Sequence, residues 1–308
     1  MAKRNTAFLV RKAVRKKRKF SDVLLDVIIN TLLVIAAIAA IYPLWNVLIS
    51  SVSNTNAISN GEVILWPVGF NLSAYEKMFA EKQIWVGFRN SVIYTTAACI
   101  MDFVVTLPCA YALSRRSLPG RKGFMYYFTL TMYFSGGTIP LFLLISKLGW
   151  VDTPLALIIP SCTCVFELVI VRNFFEHNIS EALFDAARID GMGFFKFFVK
   201  IALPLSKAIL AVFFLYRIQA HWNAYLGARM YLYSPNLKTL QQVIQAISAK
   251  LDTSLMEDMT SAEIVYAVQQ KQLLKYAVVI VSALPLAIIY PFMQRYFVQG
   301  VMVGAVKE

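Results

Sequence analysis

Glu181-Ala-Leu-Phe-Asp-Ala-Ala-Arg-Ile-Asp-Gly191, a basic-aromatic turn, and then Ile201-Ala-Leu-Pro204 form a patterned polar stretch between two long apolar segments. Ala182, Ala186 and Ala187 recur at helical spacing, which predicts a helix with one face of small side chains. Such a face enters a narrow groove on a partner without leaving voids. Gly191 suits the left-handed residue that ends a helix and turns the chain. Pro204 suits the first turn of the next helix, where its missing N–H costs nothing. The stretch reads as a contact surface held on one side of a membrane.

The apolar segments that flank it decide the class. The 308 residues are 58% hydrophobic and only 15% charged, with a mean hydropathy of +0.61, which does not describe a soluble domain. Several runs approach or exceed the ~20 residues that cross a bilayer as helix. Six transmembrane helices are predicted, over about 23–49, 91–113, 124–145, 154–174, 204–226 and 276–296. The first is too long for the ~7–15-residue core of a signal peptide. The third is interrupted by Ser135-Gly-Gly-Thr-Ile-Pro140, so its freed backbone groups are predicted to face protein or a water-filled cavity.

The net charge of +13 follows the ends of these runs. Lys and Arg fall in a basic tail over residues 1–20, at Arg115, Arg116, Arg121 and Lys122, and in the loop 176–203 at Arg188, Lys196 and Lys200. The positive-inside rule then puts both termini and that loop in the cytoplasm. The tail from Arg11 to Lys19 has no interleaved aromatic platform, which excludes nucleic acid as its target. Residues 21–308 are read as one membrane domain. Residues 52–90 and the segment after helix five are read as external, the latter with a helical pattern over Leu237–Leu251.

Asp185-Ala186-Ala187, three residues, Gly191, nine residues, then Ile201-x-Leu203-Pro204 resembles the cytoplasmic loop of ABC-importer permeases. The family usually has Glu where this chain has Asp185; the charge survives with a shorter reach. Ala110-Tyr-Ala-Leu-Ser-Arg115, Ser135-Gly-Gly-Thr-Ile-Pro-Leu-Phe142, Lys147-Leu-Gly149, Asp152-Thr-Pro154, His221-Trp-Asn223, Tyr290-Pro-Phe292 and Gly300-Val-Met302 are similar to the branch that carries oligosaccharides and uronate-containing sugars. The resemblance runs from helix one to the end. It implies an all-α integral membrane protein with the type I ABC importer permease fold. It also implies that Glu181, Ala182, Asp185, Ala186, Ala187, Asp190, Gly191, Leu203 and Pro204 couple to an ATPase. The implied partners are a second homologous permease, two ATPase subunits, an extracytoplasmic solute-binding protein, membrane lipid and an oligosaccharide. The setting is a bacterial inner membrane. ATP and Mg belong to the ATPase, because this chain has no G-x-x-x-x-G-K-[ST] phosphate loop. An amino-acid or phosphate permease is the nearest alternative. A secondary transporter is further off, since neither a selectivity filter nor repeated halves can be read.

No enzyme site is legible. The cysteines Cys99, Cys109, Cys162 and Cys164 lie in apolar runs as small hydrophobes, and Cys162-x-Cys164 lacks the second pair of a zinc site. No metal, cofactor or disulfide is expected in this chain. Three charges fall at membrane depth instead: Asp102, Glu167 and Arg217. An uncompensated charge there costs at least ~2.5–3.5 kcal/mol, so each needs a partner or water. Arg217 either pairs with Asp102 or Glu167, or lines a cavity with His221, one turn away, and meets a uronate. Ser135, Gly136, Gly137 and Thr138 either line the pathway or let helices approach closely. Asn223 either binds a sugar hydroxyl or caps its helix. Trp222, Tyr225 and Tyr231 either stack on sugar or form an interfacial belt.

Overall fold

A computed structural model describes residues 20–253 and 261–305, with side chains placed for residue 21 and for 23–246 and 273–296. The basic tail therefore lies outside the described residues, as do 306–308. Every regular element among the described residues is helical. In order they are α1 (Phe20–Ser51), α2 (Thr55–Ser59), α3 (Ser73–Ala80), α4 (Lys82–Ser114) and α5 (Arg121–Tyr133). There follow α6 (Thr138–Lys147), α7 (Leu155–Ile158), α8 (Val165–Asn178), α9 (Glu181–Ile189) and α10 (Phe194–Phe197). The last five are α11 (Leu203–Leu205), α12 (Lys207–Trp222), α13 (Tyr225–Tyr231), α14 (Leu240–Thr253) and α15 (Ser261–Ala305).

Three helices are long and apolar enough to cross a membrane unbroken: Val23–Ser51, Lys82–Ser114 and Leu273–Tyr296. Two more crossings exist if each bent pair counts as one, α5 with α6 at 110° and Phe194–Leu205 with α12 at 85°. The expected fourth helix over 154–174 is not continuous. It is a four-residue turn, α7, an irregular stretch over 159–164, and α8. Helix two starts at Lys82 rather than Ser91, and its 33 residues span about 50 Å, well past a ~30 Å hydrocarbon core. The fifth is shorter than expected. It begins at Lys207, after a bend at Ser206, and ends at Trp222. The sixth runs on to Ala305, so the expected tail from Gly300 is helical.

The centre of the molecule is α4, which packs against α8, α12 and α14. On the far side of α12, α15 packs against α1 and α3. Gly87 is where α4 and α14 meet. A Cβ there would lie 3.0 Å from Val243 Cγ2 and 3.1 Å from Leu240 Cα. Helix α14 buries Leu240, Val243 and Ile244 in one cluster with Met78, Ile84 and Trp222. It is a wall of the fold, not an appended loop.

The connection between α6 and α7 is tied down by a polar clamp. Asp152 adopts φ +58, and its carboxylate accepts from Ser234 Oγ and from the backbone N–H groups of Tyr233 and Ser234, both at 2.9 Å. The bond from the Ser234 side chain, then those from the two N–H groups, hold that carboxyl below the usual carboxylate range.

Candidate functional site

Two places in the fold gather the residues singled out from sequence. The first is the loop after α8. Ser180 caps α9, its hydroxyl accepting from Leu183 N–H at 3.3 Å. Asp190 and Gly191 close it, with Gly191 at φ +77 and the Met192 N–H donating to Ala187 O at 2.9 Å. Glu181, Ala182, Asp185, Ala186, Asp190 and Gly191 are exposed, and Ile189 beside them is 88% exposed. Ala187 is not on that face. It is buried in the main apolar core with Phe184, because its position turns it to the opposite side of the helix from Ala182. The exposed small-residue face is therefore Ala182 and Ala186.

Phe184 fastens α9 to the bundle. Its ring lies 4.8 Å from Phe194 and 5.1 Å, edge-on, from Phe197. Tyr111 of α4 continues the aromatic layer to Phe198 at 4.9 Å and to Phe175 of α8 at 5.8 Å. Leu203 is half-buried and Pro204 exposed, and both sit in α11, ahead of the Ser206 bend. Pro204 thus occupies a first turn, as expected, but of a three-residue helix and not of the long one.

The second place lies deeper, where α4, α8 and α12 meet the irregular stretch 159–164. Asp102 is 0% exposed and Arg217 6%. Arg217 Nε donates to Asp102 Oδ2 at 2.7 Å and Nη2 to Oδ1 at 3.0 Å, a two-pronged bond. Nη2 also donates to the Ser161 carbonyl. Thr106 Oγ1 donates to the Cys162 carbonyl at 3.4 Å. Side chains thus replace the bonds that the broken helix gave up, as hydrocarbon surroundings require. Glu167 Oε2 lies 3.5 Å from Arg217 Nε and makes no hydrogen bond. His221 Nε2 is 2.7 Å from Asp102 Oδ2, a contact that needs a proton between the two atoms and leaves Nδ1 unbonded among the described residues.

Arg217 and His221 also line a cavity of about 400 Å³, within the range of small-ligand pockets. Tyr94, Thr95 and Tyr231 line it too. Sequence reading missed Tyr94 and Thr95, whose only signal was their place two turns from Asp102 on α4. Tyr231 is buried and stacks on Phe142 at 5.9 Å, so it is neither exposed belt nor bystander. Trp222 fits neither of its two expectations. It is buried against Phe88, and its Nε1 donates to Ser282 O at 3.0 Å. Asn223 is the exposed residue that caps the C-terminus of α12, its backbone N–H donating to Gln219 O, and it does not line the cavity. Ser135, Gly136, Gly137 and Thr138 are exposed at the bend between α5 and α6, away from the cavity, with Gly137 at φ +87.

Cys99, Asp102 and His221 offer three ligand atoms within 4.8 Å of one another. Arg217 already holds both oxygens of Asp102, so a cation would have to displace a guanidinium to bind.

The sequence matches over residues 7–303 the family described as binding-protein-dependent transport system inner membrane component. A polygalacturonan/rhamnogalacturonan transport system permease protein, YtcP of Bacillus subtilis, is 33% identical over 92% of this chain and 98% of its own. Protein LplC of the same bacterium is 31% identical over 87% of this chain and 89% of its own. In three dimensions the chain superposes on a subunit of a bacterial ABC transporter involved in the import of the acidic polysaccharide alginate. The TM-score is 0.79 at 28% identity, covering 92% of this chain and 99% of that one.

Proposed function

The chain belongs to the family of inner membrane components of binding-protein-dependent transport systems, and on that premise we propose that it is one permease subunit of an ATP-driven importer of acidic oligosaccharides. The observation that carries the reading is the near full-length match to permeases of polygalacturonan and alginate uptake. In this reading the exposed face of α9, Ala182 and Ala186 flanked by Glu181 and Asp185, docks on an ATPase subunit. A second permease completes the translocation pathway, and an external binding protein delivers the sugar.

The geometry limits what each residue does. The guanidinium of Arg217 is matched by Asp102 and faces Glu167, so the cluster has no spare positive charge with which to select a uronate. Arg217 holds the broken segment closed. The groups left to meet a sugar in the cavity are the rings and hydroxyls of Tyr94 and Tyr231, Thr95, and Nδ1 of His221. Rings and hydroxyls recognise a sugar's faces and OH groups; acid selection then rests with the binding protein or the second permease.

The test is reconstitution of the transporter with its ATPase and binding protein, supplied with labelled oligogalacturonate and a neutral oligosaccharide. ATP-dependent uptake of the acidic sugar is expected. Ala186→Trp should insert normally yet abolish uptake, since an indole on the small face clashes in the ATPase groove. Undiminished coupling in Ala186→Trp would refute the docking face, and uptake of neither sugar would refute the substrate class.

A further inference from the structure

Arg115 ends α4, its N–H donating to Ala112 O at 3.2 Å. Its side chain is buried, 4% exposed, and its Nε reaches Ser114 Oγ at 3.4 Å. Neither Nη1 nor Nη2 has a hydrogen-bond partner, and the neighbouring Tyr111 hydroxyl is buried and unpartnered as well. Among the described residues the close compensation is the Tyr111 ring, 4.8 Å from Arg115 Cζ, with the Glu181 carboxylate acting on Tyr111 from farther off. A cation over a ring recovers only part of what desolvating a buried ion costs. No acceptor among the described residues bonds the guanidinium ends.

The surroundings define the chemistry of an acceptor that would. Arg115 and Tyr111 line a groove of about 460 Å³ whose other walls are Pro108, Leu118, Pro119, Phe194, Phe195 and Phe198. The segment Phe194–Leu205 turns 85° from α12, so with α12 crossing the bilayer it lies in the membrane plane. It exposes Phe195, Val199 and Leu205 together with Lys196 and Lys200, the mixture of an interfacial helix. Beyond Leu118 a second cavity is ringed by Arg116, Arg121, Lys122 and Arg172. Glu176 pairs with two of these, Arg121 and Arg172, leaving the neighbourhood positive.

We infer that this groove binds one anionic phospholipid of the cytoplasmic leaflet. Its phosphodiester meets the Arg115 guanidinium with two parallel hydrogen bonds, and an acyl chain lies along the phenylalanine wall. The basic ring beside the groove favours an anionic over a zwitterionic headgroup.

The experiment titrates the delipidated, detergent-solubilised transporter with phosphatidylglycerol, phosphatidylcholine or inorganic phosphate and follows the melting temperature. A ligand that binds the folded state raises it. Phosphatidylglycerol should raise it saturably, phosphatidylcholine should need at least about 10-fold more lipid, and phosphate should do nothing. Arg115→Met should melt no lower than the parent without lipid, because the orphaned charge is gone, and should lose the saturable response. Phe195→Ser, at an exposed position, should leave the lipid-free melt unchanged and weaken the response. Equal responses of parent and Arg115→Met would overturn the site as a general bilayer effect. Phosphate reproducing the shift would make it a free-anion site. A stabilisation by the ATPase subunits that is present in the parent and lost in Arg115→Met, with no response to phosphatidylglycerol in either, would overturn the lipid site and assign Arg115 to a protein carboxylate.

Discussion

Arg217→Gln removes the guanidinium that bonds both oxygens of Asp102, at a position 6% exposed, and leaves a carboxylate with no exposed surface whose remaining side-chain partner among the described residues is His221 Nε2. Removing one partner of a buried pair costs ~3–5 kcal/mol when the other charge stays behind uncompensated, and the His221 contact puts this case toward the lower end. The Ser161 carbonyl loses its donor in the same step, a further ~1–3 kcal/mol if the glutamine does not reach it. Against a typical total of ~5–15 kcal/mol this is a severe loss. Asp102→Asn alone should be milder, since Glu167 stands 3.5 Å from Arg217 Nε and takes over the guanidinium. The double variant Asp102→Asn/Arg217→Gln should recover about half of the Arg217→Gln loss and no more, because Glu167 then remains unpaired. Thermal melts of the purified transporter in detergent, parent against the three variants, give the coupling directly. Independent sites add to within ~0.3–0.5 kcal/mol. Additivity within that margin would refute the claim that the pair is a structural lock on the segment 159–164.

Three further outcomes are expected. Phe184→Ala should leave α9 exposed face and all but cut its aromatic anchor, costing about 3–5 kcal/mol, and should lower ATPase stimulation by the binding protein while basal ATPase activity persists; unchanged stimulation would argue against α9 as the docking element. Gly87→Ala should destabilise by about 1–3 kcal/mol, measured by denaturant melt, since its Cβ meets Leu240 backbone at 3.1 Å, whereas Gly123→Ala in open space should not. The Asp152 clamp on Tyr233 and Ser234 has a depressed pKa, so its contribution is full above the ordinary aspartate value of ~3.9 and fades as pH falls through the lower folded value. Protection of the Tyr233 and Ser234 amides, their exchange rate taken relative to the intrinsic rate at each pH, should fall across that acid window in the parent and stay level in Asp152→Asn.

Much of the all-helical architecture was legible because hydropathy is a strong signal in a membrane chain. The helix that starts at Glu181 and its left-handed Gly191 were legible because both are local features. Ala187 shows the limit: spacing alone ranks three alanines on one face, and only the position of Phe184 against Phe194 and Phe197 decides which of them turns inward. The breaks were harder. Pro160 and the run Ser161-Cys-Thr-Cys164 look like the middle of a crossing helix, and nothing local says that Arg217, 56 residues away, will bond the freed carbonyl. The same distance hid the use of Leu237–Leu251. It reads as an external helical segment, but its buried residues pack with those of α4 and α12, so it is a wall of the bundle.

The two breaks in the bundle are closed by different means, and that difference bears on how the chain moves. Between 159 and 164 the chain supplies its own donors, Arg217 and Thr106, and buries them against Asp102. Between α5 and α6, residues 134–137 turn the chain through 110° and remain exposed, with Ser135 Oγ accepting from the Gly137 N–H. From α9 inward, a single apolar core joins Phe184 and Ala187 to Leu107 on α4, Leu168 on α8 and Phe213 on α12. Each of those last three lies within about a turn and a half of the Asp102–Glu167–Arg217 cluster on its own helix. Close-packed interiors transmit strain rather than absorb it. A displacement of α9 therefore reaches the three helices that carry the cluster as one body, and the give must come from the irregular segments. The Ser206 bend, with its buried and unpartnered hydroxyl, separates α12 from α11 at the point where the loop joins the bundle. The backbone there stays bonded, Ser206 N–H to Leu203 O at 3.0 Å and Leu210 N–H to Ser206 O at 3.1 Å, so the bend passes a displacement of the loop on to α12 while the buried ion pair holds the 159–164 break.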